Sequence, residues 1–493
     1  MRRVPVFYSA VMLTAVNLLL KLASTGFQVY LSGRIGPAGI GLMQLVLSVG
    51  GLSLTVGIAG IRTATMYLSA EELGRGQPQN IPWVLRGCFG YCILFSGIAA
   101  LGLYLFAPTL ARIWIADPRT ASALRLFAGF LPVSCLCGVM TGYFTAAGRI
   151  GTLAAVEVAE QALSMTATSI LLSLGGSQGS DRACMSVILG SGMGSCLTLL
   201  SLMLLAKPKK AGPRIPVRKR LASTALPLAV ADDLKTGLTT LENLTVPKRL
   251  ALYPGSSQPL ADFGLVCGMV FPVMMFPAAI LYALAELLIP EFARCSAAGS
   301  VRRIRYLSAR SLKVALLYGC FMGGGMFLCA GELCLTLYDN PDAGAQLRLY
   351  AVLVPMLYCD AITDATNKGL GLQKTCMRYN ILTAAMDLGG LFILLPKFGM
   401  EGYFISFSIS HLVNFWLSVR LLLKTTGRSW HIKIPATALL CTGICVYMAG
   451  FIHQVYLRVG CFALLLFCLW TIAGLVGKQD LLWIRGMVSG QKA

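Results

Sequence analysis

Charge is scarce in this 493-residue chain: Asp, Glu, Lys and Arg together make up only 12% of it. Ordinary soluble domains carry about twice that share. Histidine is scarcer still, at three residues (His411, His431 and His453), and there is no HEXXH stretch. That excludes the histidine-pair zinc peptidases. No G-x4-GK[ST] phosphate loop occurs; the nearest text, GLVGKQ at 474–479, has the wrong spacing and closes an apolar run. ATP hydrolysis on a phosphate loop within this chain is thereby excluded. The 17 cysteines are odd in number and scattered through apolar segments, with Cys135/Cys137 the closest spacing and Cys441/Cys445 simply one helical turn apart. They read as small buried hydrophobes, not as disulfides or metal ligands. No connection is long enough for a folded soluble domain. These absences predict a protein that is not an enzyme and holds no cofactor or metal.

What is abundant is apolar sequence. Hydrophobic residues make up 56%, and mean hydropathy is +0.73. The apolar residues form long runs near the ~20 residues that cross a bilayer. Fourteen can be marked: 6–31, 38–60, 83–108, 123–146, 152–174, 182–206, 221–246, 264–290, 306–330, 347–371, 376–396, 401–424, 434–453 and 457–477. Their polarity does not alternate, and in lipid every backbone polar group must be satisfied internally, so the runs predict helices and not a barrel. The fold class expected is an all-α polytopic membrane protein with about fourteen transmembrane helices.

The net charge of +21 could suggest nucleic acid, but the cationic residues collect in alternate connections. KPKKAGPRIPVRKR at 207–220 follows the sixth run with seven Lys and Arg; Arg294, Arg302, Arg303 and Arg305 follow the eighth; Lys424, Arg428 and Lys433 follow the twelfth. The odd connections are poorer, with Arg34, Arg182 and Lys397. The positive-inside bias then places both termini and every even connection in the cytoplasm, and makes the lipid bilayer, not nucleic acid, the partner. The basic, apolar N-terminus lacks a small-x-small cleavage site and reads as a retained first helix.

The chain also repeats itself. At a fixed offset of 223 residues Gly41-Leu42 lies on Gly264-Leu265, Asp117-Pro118 on Asn340-Pro341, and Leu124–Leu126 on Leu347–Leu349. Pro132 likewise lies on Pro355, and Gly148 on Gly371. The interval holds an even number of runs, so the halves are expected to be parallel. Parallel repeats characterise alternating-access transporters with the substrate between the halves. The boundaries expected are a first lobe 1–206, a basic cytoplasmic linker 207–220, a second lobe 221–424, and a terminal helix pair with a cytoplasmic tail at 425–493. Pro132 and Pro355 read as a kink shared by both lobes.

Ionisable groups inside a membrane are costly, so they point to function. Lys21 lies near the middle of the first run, and Arg62 towards the cytoplasmic end of the second. Asp232, Asp233 and Lys235 are central in the seventh, with Glu242 nearer its outer end. Asp360, Asp364 and Lys368 in the tenth follow i, i+4, i+8 spacing, on one helix face. These residues are expected to line a central cavity; the alternative is mutual neutralisation, Asp364 with Lys368 and Asp232 with Lys235. Glu157 and Glu160 are assigned to the first turns of the fifth helix, where the helix dipole favours acids. His411 reads as a packed, hydrogen-bonded residue, and Asp387 has no assigned role.

Three stretches carry a family resemblance: Lys21 followed by RIGPAGIGLMQL at 34–45; AGI at 59–61 leading into YLSAEELGRG at 67–76; and LENLTVPKRL at 241–250 followed by GMVFPVMMFPAAILYALAELLIPEFA at 268–293. Together they resemble the stage V sporulation protein B group of polysaccharide-type flippases, relatives of the lipid II flippases and the multidrug extrusion antiporters. The resemblance implies paired six-helix lobes in the bacterial cytoplasmic membrane. It implies a monomer flipping undecaprenyl-pyrophosphate-linked saccharides, peptidoglycan or polysaccharide precursors, from the inner to the outer leaflet. It also implies cationic residues of the first helices against the diphosphate, with Lys21 and Arg62 in matching places, and an acid, Glu242, ahead of Val246–Leu250. The chain departs from the lipid II branch at Phe27 and Gln28, where that branch has a charged pair. Asn17, Gln28, Gln44 and Asn367 are candidate sugar ligands, and Na⁺ or H⁺ is the candidate coupling ion. The alternative is a cation-coupled multidrug antiporter on the same scaffold; against it, the first helix carries Lys21 and no carboxylate.

Overall fold

Helices account for the regular structure of the described residues, which are 6–174, 180–206, 212–213, 216–427 and 433–477 in this computed structural model. His431, both chain termini, most of the 207–220 linker and the side chain of Asn17 lie outside that description. In chain order the helices are α1 Val6–Ile58, α2 Ile61–Gly74, α3 Ile81–Thr109, α4 Thr120–Ala146, α5 Ile150–Leu174, α6 Ser180–Leu205 and α7 Arg218–Leu250. Then follow α8 Pro259–Leu265, α9 Phe271–Met275, α10 Ala278–Ala297, α11 Val301–Tyr338, α12 Pro341–Ala351, α13 Val354–Gly369, α14 Gln373–Thr426, α15 Lys433–Gly450 and α16 Val455–Ile472. By length and apolarity, eight segments can cross a membrane, or ten when two bent pairs are each taken as one span. Two of the long helices are themselves double, interrupted by non-helical Gly36 in α1 and Gly399 in α14. Each of the fourteen apolar runs falls on helical backbone.

The chain forms two compact units. One comprises Val11–Leu20 and Arg34–Gly264; the other comprises Lys21–Gly33 and the described residues from Leu265 onward. Contacts thus group α7 with the helices that precede it, whereas the expected lobe boundary falls at 207–220.

In the first unit, α7 lies along the second half of α1 on a polar seam. Thr240 Oγ1 donates to the Ser48 carbonyl (3.2 Å), Asn243 Nδ2 to Ser48 Oγ (2.9 Å), and Thr55 and Thr236 hydroxyls meet at 3.4 Å. Hydroxyl and amide pairs of this kind hold helices together where the hydrophobic effect cannot, because lipid is as apolar as leucine. At one end of this unit Gly41 and Gly264 touch: a Cβ on Gly41 would strike the Leu260 carbonyl and stand 3.2 Å from Gly264 N, and one on Gly264 would strike the Pro37 carbonyl. Equivalent glycines of the repeat therefore meet each other. At the other end, beyond the second apolar run, Arg220 Nη1 reaches Glu72 (2.9 Å) and Nη2 reaches Glu71 (2.6 Å). The hydrogen bonds that Arg220 donates to these carboxylates push its pKa higher still, so the cation is permanent. The described part of the linker is attached there as well, with Gly212 N donating to the Gln79 carbonyl and Trp83 Nε1 to the Gly212 carbonyl (2.8 Å).

In the second unit, the chain from Pro259 bends by 62° at Pro277, and α12–α13 bends by 57° at Leu353 and Pro355. A bend frees carbonyls that lipid cannot satisfy. Tyr358 Oη donates to the Met274 carbonyl (2.8 Å), Tyr318 Oη to Pro277 (2.9 Å), Tyr338 Oη to Met269 (3.1 Å) and Gln28 Nε2 to Gly268 (3.1 Å). Four side chains thus stabilise one broken helix. Gly319 and Gly323 make room for the second bend, since a Cβ on either would lie 2.7 Å from Pro355 Cα or 2.8 Å from the Ala351 carbonyl.

The repeat recurs in backbone conformation. Gly76 and Gly299 (φ 70° and 65°), Ala116 and Asp339 (65° and 52°), and Gly148 and Gly371 (68° and 80°) all stand 223 residues apart and all are left-handed. Positive φ is uncommon for non-glycine residues, so the Ala116/Asp339 pair is specific evidence of common architecture. α4 runs without a break through Pro132, while its mate Pro355 follows a break where the span bends by 57°.

Candidate functional site

Each unit carries its own ionisable cluster. In the first, α1 and α2 are separated by a break at Ala59 and Gly60, with φ of 43° and 68°. Strained backbone of this kind persists only where its surroundings hold it. Tyr91 of α3 donates to the Ala59 carbonyl at 3.3 Å. Asp233 of α7 interacts electrostatically with both Tyr91 and Asp232. Its Oδ1 is buried without a hydrogen-bond partner. Arg62, the second residue of α2, is exposed and within electrostatic reach of Glu157. Asp232 and Lys235 are both exposed and make no ion pair with each other, contrary to that expected alternative. Glu242 is half-buried in α7.

Glu157 and Glu160 are not first-turn acids. α5 begins at Ile150, so both lie beyond its first turn, too deep for the helix dipole to account for them. Glu160 accepts from Thr198 Oγ1 at 2.7 Å, and Glu157 faces Arg62.

In the second unit, the i, i+4, i+8 face of α13 exists. Lys368 Nζ pairs with Asp364 at 2.5 Å, so these two residues neutralise each other. Asp360 differs: Asn414 of α14 donates to its Oδ2 at 3.2 Å, while its Oδ1 and the Asn414 Oδ1 are both buried and unpartnered. Tyr282 of α10 lies within electrostatic reach of Asp360 and Asp364. Two orphaned acceptors beside one carboxylate suit a ligand that donates, whether a proton, a water or a cation. Asn367 is fully buried; its Nδ2 donates to the Ser418 carbonyl at 3.0 Å and tethers α13 to α14, while its Oδ1 has no partner. Gln28 is likewise committed to Gly268. Lys21 is exposed on α1, a helix whose only acid–base groups besides tyrosine are Lys21 and Arg34. Sequence reasoning did not find Tyr91, Tyr282 or Asn414, because each joins its cluster from a helix distant along the chain.

Broken helices beside partnerless carboxylates resemble the interrupted spans at which multi-pass transporters bind their substrates. Known proteins agree. Residues 14–174 match the MatE family. Over 459 residues the chain is 22% identical to Stage V sporulation protein B of Bacillus subtilis (strain 168), covering 90% of this chain and 88% of that one. The structure matches the lipid II flippase MurJ in its inward closed conformation, with a TM-score of 0.70 and 12% identity over 94% of this chain and 98% of that one. It also matches an inward-facing MATE family transporter of the MOP superfamily, with a TM-score of 0.66 and 14% identity over 84% and 99%. The chain has the multi-pass membrane fold of these transporters and is similar along nearly its whole length to Stage V sporulation protein B.

Proposed function

We propose that the protein is an alternating-access flippase of the bacterial cytoplasmic membrane. It moves an undecaprenyl-pyrophosphate-linked saccharide, a peptidoglycan or polysaccharide precursor, from the inner to the outer leaflet. In this reading fourteen spans leave both termini in the cytoplasm. Lobes 1–206 and 221–424 provide the alternating access, and a monomer suffices. Lys21 and Arg62 meet the diphosphate, which carries about two negative charges and accepts charge-assisted hydrogen bonds. Asp232, Asp233, Lys235, Glu242, Asp360 and Asp364 serve the cavity and the coupling ion, Na⁺ or H⁺.

The observation that carries the reading is the charge of α1: the helix has Lys21 and no Asp or Glu. The multidrug antiporters of the resemblance generally use a carboxylate there, whereas a base suits an anionic diphosphate. The test is thermal stabilisation of the purified full-length protein by undecaprenyl pyrophosphate, with undecaprenol as control. Stabilisation by the diphosphate lipid alone, weakened in Lys21→Ala, is expected. Equal effects of the two lipids would count against the reading.

A further inference from the structure

The two halves of α14, 373–398 and 400–426, fold back on each other at Gly399 (φ 57°, ψ −136°), a conformation suited to glycine. No side chain separates them near the turn: a Cβ on Gly390 would strike the Ser406 hydroxyl, and one on Gly402 the Leu394 carbonyl. That approach presses Ser406 against Asp387, which is the sole carboxylate of the run 376–396 and only 8% exposed. Ser406 Oγ lies 2.6 Å from Asp387 Oδ1 and 3.0 Å from the Asp387 carbonyl. A turn further along, His411 Nδ1 stands 2.9 Å from the Phe407 carbonyl, with its ring stacked on Phe407 at 3.9 Å. A carbonyl only accepts, so Nδ1 carries hydrogen, and Nε2 is the atom that gains or loses a proton.

His411 and Ser410 both interact with the Asp387 carboxylate. The other titratable groups near it are Tyr350 of α12, and Tyr403 and Cys267, whose Oη and Sγ lie 3.8 Å apart. Tyrosine and cysteine are ordinarily neutral at physiological pH. Among the described residues, His411 is therefore the one group acting on Asp387 that can become a cation. Tyr350 is fully buried in the same cluster, and its hydroxyl has no partner.

A lone carboxylate in such surroundings is costly unless it is neutralised. Neutral Asp387 beside neutral His411 and ionised Asp387 beside cationic His411 both meet the requirement, and both hold one proton more than the bare pair. We propose that Asp387 and His411 form a proton-binding site in the second unit, with Ser406 as its hydrogen-bonding partner and the buried Tyr350 beside it. The site is separate from Asp360 but adjacent to it: Asn414, which donates to Asp360, is one helical turn from His411 on the same face of α14. If the protein transports, which rests on the reading above, this proton is the coupling ion.

The test is infrared pH-difference spectroscopy on full-length protein in lipid nanodiscs, without transport substrate. Acidification is expected to produce a protonated-carboxyl band in the wild type. Asp387→Asn should lack that band, and His411→Gln should shift its midpoint. Ser406→Ala, which keeps both titrating groups, should shift the band frequency and guards against misfolding of the Asp387 variant. An identical band in wild type and Asp387→Asn overturns the proposal. So does a band that Na⁺ but not K⁺ removes at constant pH, since that assigns the carboxylate to a metal cation. In the liposome assay, proton coupling predicts that the pH dependence of lipid movement is lost in Asp387→Asn. Wild-type protein that moves no lipid refutes the flippase and leaves the spectroscopic result standing.

Discussion

Replacing Arg220 with alanine tests whether the end of α2 and the start of α7 are held by charge. Arg220 bridges Glu71 at 2.6 Å and Glu72 at 2.9 Å. Glu72 is 2% exposed, and its second oxygen accepts from Asn80 at 2.8 Å, so it cannot turn outward to water. Removing one partner of a buried ion pair costs about 3–5 kcal/mol, mostly through the charge left behind. Two features reduce that figure here. Arg220 is itself 37% exposed, and Arg75 remains 3.9 Å from Glu72. We expect a loss of roughly 2 kcal/mol, the lower end after solvent screening. At ~2–4 °C per kcal/mol for a unit of this size, the apparent Tm should fall by about 4–8 °C. The assay is thermal unfolding of solubilised full-length protein, followed by tryptophan fluorescence. The double variant Arg220→Ala/Glu72→Gln should recover most of the loss, because no buried charge remains. An unchanged Tm in Arg220→Ala, or a double variant showing the sum of both single losses, would refute the reasoning.

Other expectations follow from the same contacts. Gly264→Val should lower stability by about 1–3 kcal/mol, the usual cost of overpacking, because its Cβ meets the Pro37 carbonyl; Gly325→Ala, with open space around it, is the control in the same melt. Tyr358→Phe should cost roughly 1–3 kcal/mol by leaving a buried carbonyl unsatisfied at the bend, and thermal unfolding reads the loss. Lys21→Ala should reduce transport about tenfold or more, the worth of one charge-assisted hydrogen bond, while elution and Tm stay at wild-type values. Wild-type transport in that variant would reduce Lys21 to a tolerated intramembrane charge.

Much of this architecture is legible in the sequence because membrane helices announce themselves by length and apolarity, whatever they touch. The repeat was legible for a similar reason: Gly41/Gly264 and Gly148/Gly371 mark a close approach and a left-handed turn, which few residue types tolerate. The charged face of α13 follows from helical spacing alone. What was missed depends on non-local pairing. Nothing local distinguishes Pro355, which follows a break in its span, from Pro132, which lies inside an unbroken helix, since Gly319 and Gly323 of another helix make room for the bend. Glu157 lies past the first turn whether α5 is counted from Ile150 or from its apolar run at 152, so its partner Arg62 on another helix, and not the dipole, accounts for it. Asp387 and His411 each looked solitary until the turn at Gly399 folded one helix onto the other, though each is the sole residue of its kind in its run.

The most direct test of the central claim is a leaflet assay in proteoliposomes. Undecaprenyl pyrophosphate bearing a fluorescent oligosaccharide is confined to one leaflet, and its loss to a membrane-impermeant quencher added on the other side is timed. The flippase account predicts protein-dependent movement that Lys21→Ala slows and that a cationic dye does not compete away. Immobile lipid in vesicles where the same protein expels the dye would contradict it and establish the antiporter instead.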